Sequence, residues 1–154
     1  LANSLEGAPN VISVHTCGKA LGCSGALVLG PALMKDMLVN RARAFIYATA
    51  PSPLIAATVR AALKIVAHAD ERRAELFRRI EITRDKLENA TRFRGSQTQI
   101  QPLIVGSEAR ALLLAKSLQR RGFDIRAIRP PTVPDGTARL RLTLTLNTAE
   151  ADLL

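Results

Sequence analysis

The sequence has no tryptophan, and its 154 residues hold only four phenylalanines and one tyrosine. So few aromatics leave little on which nucleic-acid bases could stack. No apolar run approaches the roughly 20 residues that span a bilayer, which argues against an integral membrane protein. Cysteine is sparse: Cys17 and Cys23 stand alone, and His15 and His68 do not complete a zinc-like ligand spacing with them. Both thiols read as small packing residues of a reducing compartment, no metal is expected, and the localisation expected is cytoplasmic. Acidic residues are outnumbered, 13 against 22 Lys and Arg, for a formal net charge of +9. The excess is spread along the whole chain with no dominant basic tract, so it favours anionic partners in general without selecting one.

What is present is a chain rich enough in apolar residues, 47%, to build a core. A turn-rich lead-in (Gly7, Pro9, Asn10) precedes an apolar strand at 11–15. A glycine-punctuated loop at 16–25 follows, then Ala26–Gly30, read as a second, buried strand. Pro31 opens a helix over about 31–43. Phe45–Ala50 reads as an extended segment ending at Pro51-Ser52-Pro53. From Leu54 to about Ala90 there is neither Gly nor Pro. This predicts one long helical stretch with Val59, Leu63, Val66, Leu76, Ile80 and Leu87 on its apolar face. A disturbance of that pattern at His68-Ala69-Asp70 marks a place where the helix could pass from one body to another.

After Gly95 the pattern predicts a strand at 100–105, placed at a sheet edge by Pro102. Ser107 is expected to cap a helix through Arg121, with Gly122 just past its end. Leu140, Leu142, Leu144 and Leu146 alternate with Arg139, Arg141, Thr143 and Thr145, the pattern of a half-buried antiparallel strand. Pro134-Asp135-Gly136 supplies the turn before it. Thr148–Leu154 begins a further helix. The domain organisation expected is 1–52 as the end of a larger αβ domain, 53–94 as a connecting helical segment, and 95–154 as a small α+β domain with an antiparallel sheet.

Two segments carry candidate chemistry. Lys19 lies between Gly18 and Gly22 on a loop leaving a strand, with Thr16 and Ser24 nearby. Glycines allow close backbone approach to a ligand, hydroxyls suit a phosphate, and a lysine amine can condense with an aldehyde. By itself the same pattern also describes a surface lysine on a flexible turn. The second segment, Ile128-Arg129-Pro130-Pro131-Thr132-Val133-Pro134, fixes Arg129 and Thr132 with three prolines, close in sequence to Arg139 and Arg141. Such arginines can grip a carboxylate or simply be solvated beside a proline-rich connection.

Taken together, Thr16-Cys17-Gly18-Lys19-Ala20-Leu21-Gly22-Cys23-Ser24-Gly25-Ala26 resembles the T-x-G-K-x-x-G-x-x-G-(A/G) motif of the α-oxoamine synthases. These are pyridoxal-phosphate enzymes of the aspartate-aminotransferase fold type. Phe45–Thr49, Gln101–Gly106 and Ala127–Pro134 extend the resemblance over about residues 7–146. It implies an α/β chain forming the C-terminal part of such an enzyme, with pyridoxal 5'-phosphate as cofactor. Lys19 would carry the cofactor as an internal aldimine and act as the base. Thr16 would bind the cofactor phosphate, and Thr49 the phosphate of the other protomer of a homodimer. Thr132 would contact substrate, and Arg129 or Arg141 would hold a carboxylate. The reaction implied is condensation of an amino acid with an acyl-CoA. For the member that the proline-rich segment fits best, these are L-alanine and pimeloyl-CoA or its carrier-protein thioester. The ring-stacking residues would lie upstream of Leu1, His15 not being one of them, so this chain alone is expected not to be competent. Members of the glycine C-acetyltransferase and 5-aminolevulinate synthase types, and a non-catalytic basic anion-binding module, are the alternatives.

Overall fold

The computed structural model describes residues 3–5, 7–90 and 94–149. The chain divides into two compact units, 1–69 and 70–154.

In the first unit a short 3-10 turn, Asn3–Leu5, leads to β1 (Ser13–Thr16), which pairs antiparallel with β2 (Ala26–Leu29) from Ser13↔Leu29 to Thr16↔Ala26. These four-residue strands form a two-stranded sheet. The apolar run at 26–29 was expected to be a buried strand, and here the structure differs. Val28 and Leu29 are exposed, because β1 is the only strand paired with β2 among the described residues. Helix α1 (Ala32–Arg41) begins directly after Pro31, whose carbonyl accepts from Met34 N and Lys35 N. The segment expected to be extended at 45–50 instead begins in a helical turn, α2 (Arg43–Ile46), before the chain opens at Tyr47. No proline interrupts 42–46, so Phe45 N and Ile46 N close a turn on Ala42 O, and the turn ends where Tyr47 leaves helical geometry. Ser52 caps α3 (Pro53–Ala67), its hydroxyl accepting from Leu54 N at 3.3 Å, with Pro53 in the first turn.

The stretch expected to be one helix from 54 to 90 is two: α3 ends at Ala67, and α4 (Asp70–Ala90) opens the second unit. Asp70 and Glu71 sit in the first turn of α4, where acidic groups complement the positive end of the helix dipole, and Asp70 also accepts from Arg73. An acid pair favouring a new start, together with His68 leaving helical geometry, divides the run without a glycine or proline. Of the apolar face expected on α3, Val59 is buried while Leu63 and Val66 stay exposed.

The second unit is a βαββ arrangement joined to α4. β3 (Ile100–Gly106), β4 (Arg126–Ile128) and β5 (Ala138–Thr143) form an antiparallel sheet in the order β3-β5-β4. β3 with its Pro102 lies at the edge, as its proline requires. Ser107 caps α5 (Glu108–Arg120), accepting from Arg110 N, and Gly122 follows at φ +93°, a conformation suited to glycine. Ala138, Leu140 and Leu144 are buried, as are Ala111 and Ala115 of α5, which contacts all three strands. Small residues at 111 and 115 let the helix backbone approach the sheet closely. Gln101, fully buried, is satisfied: its amide donates to Ser96 O and Thr98 O and accepts from Ser96 N, at 2.7–2.8 Å. Arg79 ties α4 to the end of the sheet, donating to Thr145 O (3.2 Å) and Thr148 O (2.7 Å). Of the helix expected at 148–154, Thr148 and Ala149 are non-helical, and 150–154 lie outside the described residues.

Candidate functional site

The hairpin β1–β2 holds its loop by backbone bonds that continue past the paired strands. Cys17 N donates to Gly25 O at 2.9 Å, Cys23 N to Cys17 O at 2.8 Å, and Gly22 N to Lys19 O at 3.0 Å. Gly22 (φ +60°) and Gly25 (φ +88°) supply the left-handed turns this path needs. The result is a small noose, residues 18–22, with Lys19 exposed on it. The Thr16 hydroxyl, also exposed, accepts from Gly18 N at 3.4 Å. A Cβ added at Gly18 would stand 3.7 Å from Thr16 Oγ1 and from Cys23 O, so the absent side chain leaves space beside that hydroxyl. An amine, a hydroxyl and backbone unobstructed at three glycines form a donor set that matches a phosphorylated aldehyde.

Thr49 belongs to the same unit. It lies exposed between the end of α2 and the Ser52 cap, after a turn on which the Arg43 guanidinium stands 5.1 Å from the centre of the Tyr47 ring. Pro51, two residues on, lines a cavity of about 340 Å³ together with Cys17, Ser24 and the α3 residues Ile55, Val59 and Arg60. Thr16, Lys19 and Thr49 are not among its lining residues.

The second unit carries the other candidates. Pro130–Pro131 is a cis peptide bond, and Thr132 N donates to Arg129 O at 3.0 Å, which places Arg129 and Thr132 on one tight turn. Arg129 is exposed, its guanidinium 3.7 Å from the Glu108 carboxylate at the start of α5. Arg141 is on the central strand β5, exposed, opposite Pro102 on one side and Arg126 on the other. It lines an open groove of about 1040 Å³ together with Thr83, Lys86, Arg121 and Arg126; Arg129 and Thr132 are not part of that lining. Arg139 is committed to Thr137, donating to its carbonyl and hydroxyl, both at 3.0 Å. Arg126, which sequence reasoning passed over, becomes the cross-strand neighbour of Arg141 only through the β4–β5 register. Its visible sign was the alternation of residues 123–127. Among the described residues no group of three or more His, Cys, Asp or Glu could hold a metal ion, and no helix is long and apolar enough to cross a membrane.

The chain belongs to the aminotransferase class I and II family, whose family model matches residues 2–154. Within that class it is similar to the 8-amino-7-oxononanoate synthase of Ralstonia pickettii, 48% identical over 150 residues, 93% of this chain and 36% of the relative. The enzyme of the same name from Chromobacterium violaceum is 45% identical over 134 residues, 87% of this chain and 35% of the relative. The chain thus spans about a third of the length of these curated relatives. Among solved structures, the 8-amino-7-oxononanoate synthase of Francisella tularensis superimposes with a TM-score of 0.79 at 25% identity, over 93% of this chain and 42% of its own. A serine palmitoyltransferase from Sphingomonas wittichii shares the fold, with a TM-score of 0.84 at 22% identity, over 92% of this chain and 36% of its own.

Proposed function

We propose that this chain supplies the lysine loop and the small α+β domain of a pyridoxal-phosphate-dependent 8-amino-7-oxononanoate synthase. The reaction is condensation of L-alanine with pimeloyl-CoA, or its carrier-protein thioester, to 8-amino-7-oxononanoate, CO2 and CoA, a step of biotin synthesis. The observation that carries this reading is the glycine noose presenting Lys19 beside the Thr16 hydroxyl, in a chain 45–48% identical to synthases of that name. In the longer protein, residues 1–52 end the large cofactor-binding domain, 53–94 connect, and 95–154 form the small domain.

Pyridoxal phosphate, when bound, supplies an electron sink for the pair left at the amino acid's Cα. Lys19 is the amine that holds it covalently. The same Nζ, when free, would take the proton from the amino acid's Cα, its tether keeping it within the reach a general base needs. The Thr16 hydroxyl would donate to the cofactor phosphate, as would Thr49 toward the phosphate of the second protomer of a homodimer. Thr132 contacts substrate. Arg129 or Arg141 grips a substrate or product carboxylate, a task for which the planar guanidinium is shaped. The apolar side chains that α1 and α2 leave exposed, Leu33, Met37 and Phe45 among them, support burial of this unit against further protein. The proposed compartment is the cytoplasm.

The test is release of CO2 and CoA from alanine and pimeloyl-CoA by a full-length synthase carrying these residues. Loss on Lys19→Ala is expected, together with a raised KM for alanine or loss of product formation on Arg141→Ala or Arg129→Ala. A preference for glycine with acetyl- or succinyl-CoA would overturn the substrate assignment. The 154-residue chain, spanning a third of its relatives, is expected to show no turnover by itself, and measurable turnover would refute that.

A further inference from the structure

Cys17 and Cys23 stand at the neck of the noose that carries Lys19, and both are free thiols. One backbone hydrogen bond joins them, Cys23 N to Cys17 O at 2.8 Å. A backbone bond of that length keeps two Cα atoms within roughly 5–6.5 Å, inside the about 4.4–6.8 Å that disulfides span. Each thiol is turned to the carbonyl two residues before it, Cys17 Sγ to His15 O at 4.0 Å and Cys23 Sγ to Leu21 O, in the loop, at 3.0 Å. These S–H contacts are weak and are given up by rotation about χ1. The two residues also differ in access: Cys17 is 1% exposed, while Cys23 is half-buried. Packing as a small apolar residue accounts for the first and not for the second.

We infer that Cys17 and Cys23 form an oxidation site, a thiol–disulfide clasp that closes the 18–22 noose covalently. A small-molecule disulfide is the oxidant. The Cys23 thiolate attacks one of its sulfurs, the S–S bond breaks, and one small thiol leaves. Cys17 then attacks the Cys23 sulfur of the mixed disulfide and expels the second thiol. Two protein thiols lose two hydrogens and two electrons, and the oxidant is reduced to two thiols. The more exposed Cys23 takes the intermolecular step, and the buried Cys17 resolves it within the loop. The clasp does not depend on the catalytic role given to Lys19.

The lysine itself provides the readout. Residues 1–18 contain no Lys or Arg, and the next after Lys19 is Lys35, so trypsin separates the two cysteines into peptides 1–19 and 20–35. The chain is treated with oxidised glutathione, its remaining thiols are alkylated in acid, and it is digested without reductant. The expected result is loss of both free thiols and one species joining 1–19 to 20–35, lighter by two hydrogens than the two free peptides together and split by dithiothreitol. In Cys17→Ser, Cys23 should keep one glutathione; in Cys23→Ser, Cys17 should remain a free thiol. Alkylated peptides recovered separately from the wild-type chain, a glutathione on each cysteine, or joined pairs of like peptides from two chains would each overturn the clasp. Modification of Cys17 in Cys23→Ser at the wild-type rate would overturn it equally.

Discussion

Thr83 offers the sharpest energetic test of the second unit. It is 7% exposed on α4, three residues beyond the buried Ile80, and its Oγ1 has no hydrogen-bond partner among the described residues. A buried hydroxyl without a partner costs about 1–3 kcal/mol by mutational measures. Thr83→Val replaces that hydroxyl by a methyl of similar volume, at nearly equal helix propensity, so neither packing nor backbone preference opposes the gain. The groove that Thr83 lines is open, which places the effect at the lower end. The expected stabilisation is about 1 kcal/mol, or roughly 4–8 °C in the midpoint for a cooperative unit of under 100 residues. Thr83→Ala removes the same hydroxyl together with a packed methyl, and the void it leaves should cancel the gain or reverse it. Urea and thermal unfolding followed by circular dichroism, with hydrogen exchange of the α4 amides to assign the transition, measure both. Destabilisation by about 1 kcal/mol or more in Thr83→Val would mean that the hydroxyl is satisfied in solution and the reasoning is wrong.

Gln101→Leu should destabilise the same unit by about 2–4 kcal/mol, since three hydrogen bonds to the 96–98 loop are lost from a fully buried side chain; equilibrium urea unfolding checks it, and a change below about 0.5 kcal/mol would contradict it. The Glu75 carboxyl is lowered to about 2, chiefly by hydrogen bonds from Arg78 and then Arg79. A depressed carboxylate contributes stability that is present above its ordinary value of 4.5 and is lost as the pH falls toward about 2, so Glu75→Gln should flatten the stability curve of this unit across that window. Identical pH profiles for the two proteins would refute the pairing.

The sheet of the second unit was readable because its residues report on their immediate surroundings. Leu140, Leu142 and Leu144 alternate with polar residues, Pro102 demands an edge, and Ser107 and Gly122 bracket a helix. The break between α3 and α4 showed only as a disturbance at 68–70, because it is made by an acidic helix start, with no breaker residue in the run. The helical turn at 43–46 was missed since aromatic and β-branched residues there suggest strand, while nothing local forbids a turn of helix. The exposure of Val28 and Leu29 was missed for a different reason. Apolar composition records what a residue is suited to pack against, and the partner that would cover it need not be in the same unit. At the candidate site the motif around Lys19 was plain in the sequence. The pairing of Arg126 with Arg141 was not, because cross-strand register is a non-local property.

The central claim is that the Lys19 amine holds the cofactor, and the chain has four other lysines, at 35, 64, 86 and 116, to serve as internal controls. In a full-length synthase carrying these residues, incubation with pyridoxal phosphate, reduction with borohydride and peptide mapping should place the pyridoxyl label on Lys19 in preference to those four, and Lys19→Arg should abolish it. Label distributed evenly over the five lysines, or undiminished in Lys19→Arg, would contradict the account.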